Sequence, residues 1–143
     1  MAYFRDQRQL YEVLGAFFDR VRRDPTLGRK LQASRLIIRF VYTDPDGVVT
    51  INFADPPPEE GTYGAFEFGE SSWAPDVTMK QSADFSHRFW HGKASVMTAL
   101  ATRQIVARGS VPKALQLLPI IRPTFAIYPQ VLRELGYEHL VLK

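Results

Sequence analysis

Near residue 36 the apolar residues of this chain change their spacing, and that change constrains its fold more than any other feature. Before it, Leu10, Val13, Leu14, Phe17, Phe18 and Val21 recur at helical spacing, with Arg8, Glu12, Asp19 and Arg22 on other faces. After it, Leu36, Ile38, Phe40 and Tyr42 alternate with Arg35 and Arg39, the period of a half-buried strand. An amphipathic helix must therefore pack against a sheet. Asp24-Pro25 adds a start signal for a second helix ending near Leu31, with Asp as cap and Pro pre-setting the first helical φ.

The alternation continues. Pro45-Asp46-Gly47 marks a turn, with Gly47 expected to take a positive φ, and Val49, Ile51 and Phe53 form the returning strand. Pro56, Pro57 and Pro58 cannot extend a ladder, so residues 55–61 are a loop. Tyr63 to Gly69, with Phe66 and Phe68 on one side, and Asp76 to Gln81, with Val77 and Met79, supply two further strands. Ser82 can cap a helix that ends at His91 and Gly92. A short helix at 95–101 then leads to a fifth strand, Gln104 to Arg108. Ser110 is a candidate N-cap for a last helical region, which Pro119, Pro123 and Pro129 must break before Gly136.

The expected class is α+β: a five-stranded, mainly antiparallel sheet with helices packed on one face. The helix between the fourth and fifth strands is long enough to permit one crossover. No repeat, linker or composition shift divides residues 1–143, which form a single domain with N-terminal helices over 1–32 and a C-terminal helical extension over 119–143.

Cysteine is absent, which excludes disulfides and thiolate chemistry. Arg5, Asp6 and Arg8 interrupt any signal-like opening, and no apolar run reaches membrane-spanning length, so a cytoplasmic location is expected. Arginine outnumbers lysine, as in GC-rich bacterial genomes. The net charge of +3 is spread along the chain, and its densest cluster is Arg20, Arg22, Arg23, Arg29 and Lys30. These read as a solvated helix end, with transient contact to an anionic membrane surface as the alternative. No stacking platform or recognition motif supports nucleic-acid binding.

The catalytic search finds no complete centre. His87 and His91 share a helix face, but Arg88 stands where a metalloprotease needs glutamate, and no third ligand is placed beside them. Two exposed or capping histidines favoured by the helix dipole account for the pair, so no metal is expected. Ser110 lacks the second glycine of a nucleophile elbow, Asp76 and Asp84 are explained by strand-start and first-turn positions, and no phosphate-binding glycine loop exists. No cofactor is implied.

What remains is a surplus of apolar side chains in the helices. The C-terminal region is apolar around much of its circumference and broken by prolines, as a movable cover over a cavity would be. Composition alone reads this surplus as ordinary core, while the prolines argue for a cavity between the sheet and the C-terminal helices. Its lining would come from Phe66, Phe68, Val77 and Met79 of the sheet, and from Phe89, Met97, Leu100, Leu118, Ile121, Phe125 and Tyr128 of the helices.

From Asp76 onward the chain resembles the sterol carrier protein 2 family of sterol-transfer domains. The matching residues are Asp76-Val77-Thr78-Met79, Asp84-Phe85, Gly92-Lys93, Ala99, the strand Gln104 to Gly109, and Ala114-Leu115 with Leu117-Leu118. The likeness spans residues 15–118 and is most specific over 76–118. It implies a five-stranded sheet, a hydrophobic tunnel, and non-catalytic binding of a fatty acid, fatty acyl-CoA, sterol or other lipid. Peroxisomal members end in a tripeptide address, whereas this chain ends Val141-Leu142-Lys143, so the likeness does not carry peroxisomal delivery. Two rival expectations are kept. One is an enzyme on a small hydrophobic substrate, using His87 or His91 with Asp84 or Tyr128. The other is an accessory subunit or homodimer docking through Pro119 to Tyr137.

Overall fold

Capping and patterning place the N-terminal helices. In the computed structural model, which describes residues 2–143, helix α1 (Gln7–Arg23) begins where the Asp6 carboxylate accepts the Gln9 N–H at 2.9 Å. It ends in Arg20, Arg22 and Arg23, favourable charges at a helix C-terminus. Asp24 then caps α2 (Pro25–Ser34) through the Thr26 and Leu27 amides. The expected apolar stripe of α1, Leu10 through Val21, is buried throughout.

The sheet contains β1 (Ile37–Thr43), β2 (Gly47–Asn52), β3 (Ala65–Phe68), β4 (Val77–Ser82) and β5 (Val106–Gly109), in the order β3-β2-β1-β4-β5. Every neighbouring pair is antiparallel except β1 and β4. The crossover thus falls elsewhere than expected. β4 and β5 are antiparallel neighbours; the β1–β2–β3 meander fills one side of β1, so β4 takes the other side in the parallel sense. Register places Ile38, Phe40 and Tyr42 of β1 beside Val77, Met79 and Gln81 of β4, on the face that the helices cover. On the far face the Arg39 guanidinium donates to Thr50 Oγ1 and to the Trp73 carbonyl, both at 2.9 Å, so the β3–β4 connection lies over it.

After β4 come α3 (Ala83–Trp90) and α4 (Val96–Ala101), capped by Ser82 and Ser95. Beyond β5 the prolines divide the chain into α5 (Val111–Leu115), α6 (Leu118–Ile121) and α7 (Thr124–Glu134), followed by a 3₁₀ turn at Glu138–Leu140.

Two local expectations are corrected. The residue with positive φ in the β1–β2 turn is Asp44, at 54°, and not Gly47. Glycine is needed at 47 for close approach instead, because a Cβ there would sit 2.9 Å from the Tyr11 ring. Ser110 makes no side-chain cap; its N–H donates to the Asp76 carbonyl at 2.8 Å, holding the end of β5 against the start of β4.

Gly109 makes that junction possible. Its φ is +94°, and a Cβ would lie 2.2 Å from the Asp76 carbonyl oxygen. Gly109→Ala is expected to cost about 3 kcal/mol, from left-handed strain together with the clash, measured by urea denaturation. A loss below about 0.5 kcal/mol would show that the β4–β5 junction can shift freely.

Candidate functional site

The helices do not close completely over the sheet. Phe40 sits on the central strand, on the covered face, yet it is only half-buried. Above it lies a cavity of about 100 Å³ between the sheet and the helices. The sheet contributes Ile38, Phe40, Ile51, Met79 and Gln81, with Phe53 just beyond β2. Phe17, Phe18 and Val21 of α1 and Leu31 of α2 wall one side. Phe85, Phe89 and Trp90 of α3, with Val96 and Ile105, close the end near β4, and residues from Ala114 to Thr124 on α5, α6 and the start of α7 form the remaining wall. Every lining residue is apolar except Gln81 and Thr124. No ionisable side chain is among them.

Of the residues expected to line a tunnel, Met79, Phe89, Leu118 and Ile121 meet at this cavity. The structure puts the others elsewhere. Phe66 borders a separate void of about 30 Å³ with Phe18 and Phe53. Phe68 stacks on Tyr11 with ring centroids 4.3 Å apart. Val77 is packed solid at the start of β4, 1% exposed. Leu100 and Phe125 are half-buried against the core, Phe125 edge-on to Phe89 at 5.6 Å. Met97 is 60% exposed and turned away from the interior, since α4 buries Val96 and Ala99 instead. Tyr128 is fully buried but belongs to a different constellation.

That constellation is built on the histidine pair. His87 is not exposed or capping as expected; it is 0% exposed. Its Nε2–H donates to the Leu140 carbonyl at 2.7 Å, which leaves Nδ1 to accept the Tyr128 hydroxyl at 2.8 Å. His91 Nδ1–H donates to the His87 carbonyl at 2.7 Å, and its Nε2 accepts the Leu142 N–H at 3.2 Å. The two imidazoles thus tie the C-terminal tail to α3. Burial drives His87 down to about 4, against the opposing pull of the Leu140 carbonyl, and burial also lowers His91 and raises Tyr128. Neither histidine lines the cavity. Asp84 and Asp76 are likewise occupied, accepting the Tyr3 and Ile37 amides at 2.8 Å.

The basic cluster is largely spent inside the molecule. Arg20 pairs with Glu134, while Arg22 and Arg23 pair with Asp19 and Glu59. Among the described residues, no helix is long and apolar enough to cross a membrane.

This arrangement of sheet and helices is the sterol carrier protein 2 fold. The sterol carrier protein domain 2 of Helicoverpa armigera matches with a TM-score of 0.63 at 20% identity, over 82% of this chain and 88% of that one. The apo form of sterol carrier protein 2 from Yarrowia lipolytica matches with a TM-score of 0.60 at 15% identity, over 80% and 88%. A third similar structure is UbiJ-SCP2, a ubiquinone synthesis protein, with a TM-score of 0.54 at 11% identity over 82% and 86%. No protein-family profile and no curated protein sequence matches the chain. At such identities the likeness defines the fold.

The histidine pair carries a pH dependence whose sign follows from His87. Unfolded, its imidazole titrates near the ordinary 6.5; folded, near 4. The unfolded chain therefore binds more protons between these values, and stability present above pH 6.5 is lost as pH falls toward 4. The loss due to His87 is about 3 kcal/mol, with His91 acting in the same direction. Denaturant unfolding at pH 7 and pH 4 should show a loss smaller by roughly that amount in His87→Gln. Equal losses in both proteins would mean that His87 is not held neutral.

Proposed function

We propose that this protein binds an apolar ligand in the cavity and acts as a non-catalytic carrier for it. The carrying observation is a nearly all-apolar lining, without ionisable groups, on the one sheet face that the helices fail to seal. Such a space stays dry and offers an alkyl group more than water does: each buried methylene contributes about 0.8 kcal/mol.

The resting cavity suits only a short apolar segment, since an apolar void of about 150 Å³ admits benzene, whereas pockets for drug-sized ligands start near 300 Å³. Longer cargo requires the wall to move, and α5 and α6 suit that role. They are short, neither has a side-chain cap, and α6 contains no fully buried residue. Segments with so little burial open at low cost. Exposed Lys113 and Arg122 adjoin lining residues of α5 and α6, so an anionic head group can remain at the surface while its tail is inside.

Catalysis through the histidines draws little support, because His87 and His91 are bound to Tyr128 and the tail and do not face the cavity. Docking through an apolar C-terminal surface fares similarly, since Tyr128, Val131 and Leu132 of α7 are buried within the chain. The likeness to a ubiquinone synthesis protein does support one refinement, in which the carrier presents its cargo to an enzyme.

The test is uptake of a fluorescent fatty acid, whose tail probes the cavity. Ile121→Asp and Phe89→Asp, both at half-buried lining positions, are expected to weaken uptake at least about 10-fold while circular dichroism shows an intact fold. Native mass spectrometry of protein purified from cells should in addition reveal a co-purifying lipid. Unchanged uptake in folded variants, with no lipid retained, would remove the cavity from consideration.

A further inference from the structure

We infer that the cargo is an apolar molecule bearing one uncharged hydrogen-bonding group, such as a hydroxyl or a ketone, and that the Gln81 side chain receives that group. The inference rests on the cavity reading above and adds a chemical class to it. β4 alternates, and Val77, Met79 and Gln81 all point toward the helices; the third of these inward positions carries an amide in place of a hydrocarbon. Gln81 is 6% exposed and lines the cavity. Among the described residues its side chain makes no hydrogen bond, although an amide offers two donors and an acceptor. The amide is not sealed in the core but opens onto accessible space, where a partner from outside the protein can reach it.

The surroundings sharpen the point. The buried hydroxyls of Tyr42, the cross-strand neighbour of Gln81, and of Ser86 on α3 face each other and stay outside the cavity wall, so neither competes for the amide. Thr124, the other polar lining residue, donates its hydroxyl proton to the Ile121 carbonyl and is already engaged. A charged group brought to Gln81 would find no counter-ion on the cavity wall, and burying an unpaired charge is far costlier than burying a neutral oxygen. The matching partner is a neutral oxygen on an apolar body.

The experiment measures displacement of the fluorescent fatty acid by n-octane, 1-octanol, 2-octanone and octanoate from the wild-type protein and from Gln81→Met. Methionine preserves length and removes hydrogen bonding. The ratio of 1-octanol to n-octane affinity should fall about 3- to 10-fold in Gln81→Met, and 2-octanone should behave like the alcohol. Octanoate at neutral pH should bind both proteins equally. The ligand-free variant should melt at the wild-type temperature or above it, because no bond within the protein is lost. An unchanged octanol-to-octane ratio would overturn the inference and mean that the amide serves only an ordered water, while binding of n-octane would leave the cavity reading standing. A melting temperature several degrees lower would overturn it too, by showing that the amide is bonded within the protein. Octanoate weakened as much as octanol would overturn the requirement for an uncharged group. Failure of every probe to displace the dye would overturn both readings together.

Discussion

One apolar sheet face has to be kept from water, and the helices available to do so are of unequal quality. α1 is long, capped, and lays an unbroken stripe of buried residues over the β2–β3 half. The β1–β4 half depends on α3 and on three pieces of helix separated by prolines. The first half is therefore covered more closely, with Phe68 stacked on Tyr11 and only a small void beside Phe66. The second carries the larger gap. A half-buried phenylalanine in the middle strand of a covered face is the direct sign of that mismatch, and the cavity follows from it.

The same unevenness separates what is fixed from what can move. Phe17 touches both Trp90 and Tyr128 edge-on, at 4.8 and 5.0 Å, which joins α1, α3 and α7 into one aromatic block. Tyr128 is held by His87, and His87 with His91 holds the tail. These contacts make α7 an anchored post. Between that post and β5 stand α5 and α6, attached at both ends but little buried along their length. Under the proposed carrier role, the buried polar relay fixes one side of the molecule and leaves α5 and α6 as the wall with the least burial to lose. Because His87 is neutral over the physiological range, the relay needs no counter-charge to persist.

Legibility in the sequence followed the range of the interaction. Strands, caps and turns depend on neighbours, so the switch of period at Leu36, the Asp24 and Ser82 caps, and the break of the last helix at its prolines were readable. The wall of the cavity depends on which elements meet, and there the reading was partial. Phe17 and Phe18 were seen as the inner face of a helix and not as lining, because nothing local says that α1 shares a cavity with α6. Met97 was placed inside on hydropathy alone, although in a helix that buries Val96 and Ala99 its direction lies about 100° from the first of these. Burial of His87 was unreadable for a related reason: its partners are 41 and 53 residues away, and only the return of the chain brings them near.

Gln81 is the instructive case, because it was visible all along as the end of a strand and was not read as anything more. A strand that buries one face states at every second position what kind of atom its neighbours tolerate, and β4 states hydrocarbon twice before it states amide. Were Gln81 paired within the protein, the departure would be a structural detail. Without a protein partner beside an apolar void, it is a hydrogen-bonding group held open. Departures of this sort concentrate where a protein meets something other than itself. In a cavity with no ionisable group, discrimination among apolar molecules must come from shape and from the few hydrogen bonds on offer, and here a single side chain supplies most of them.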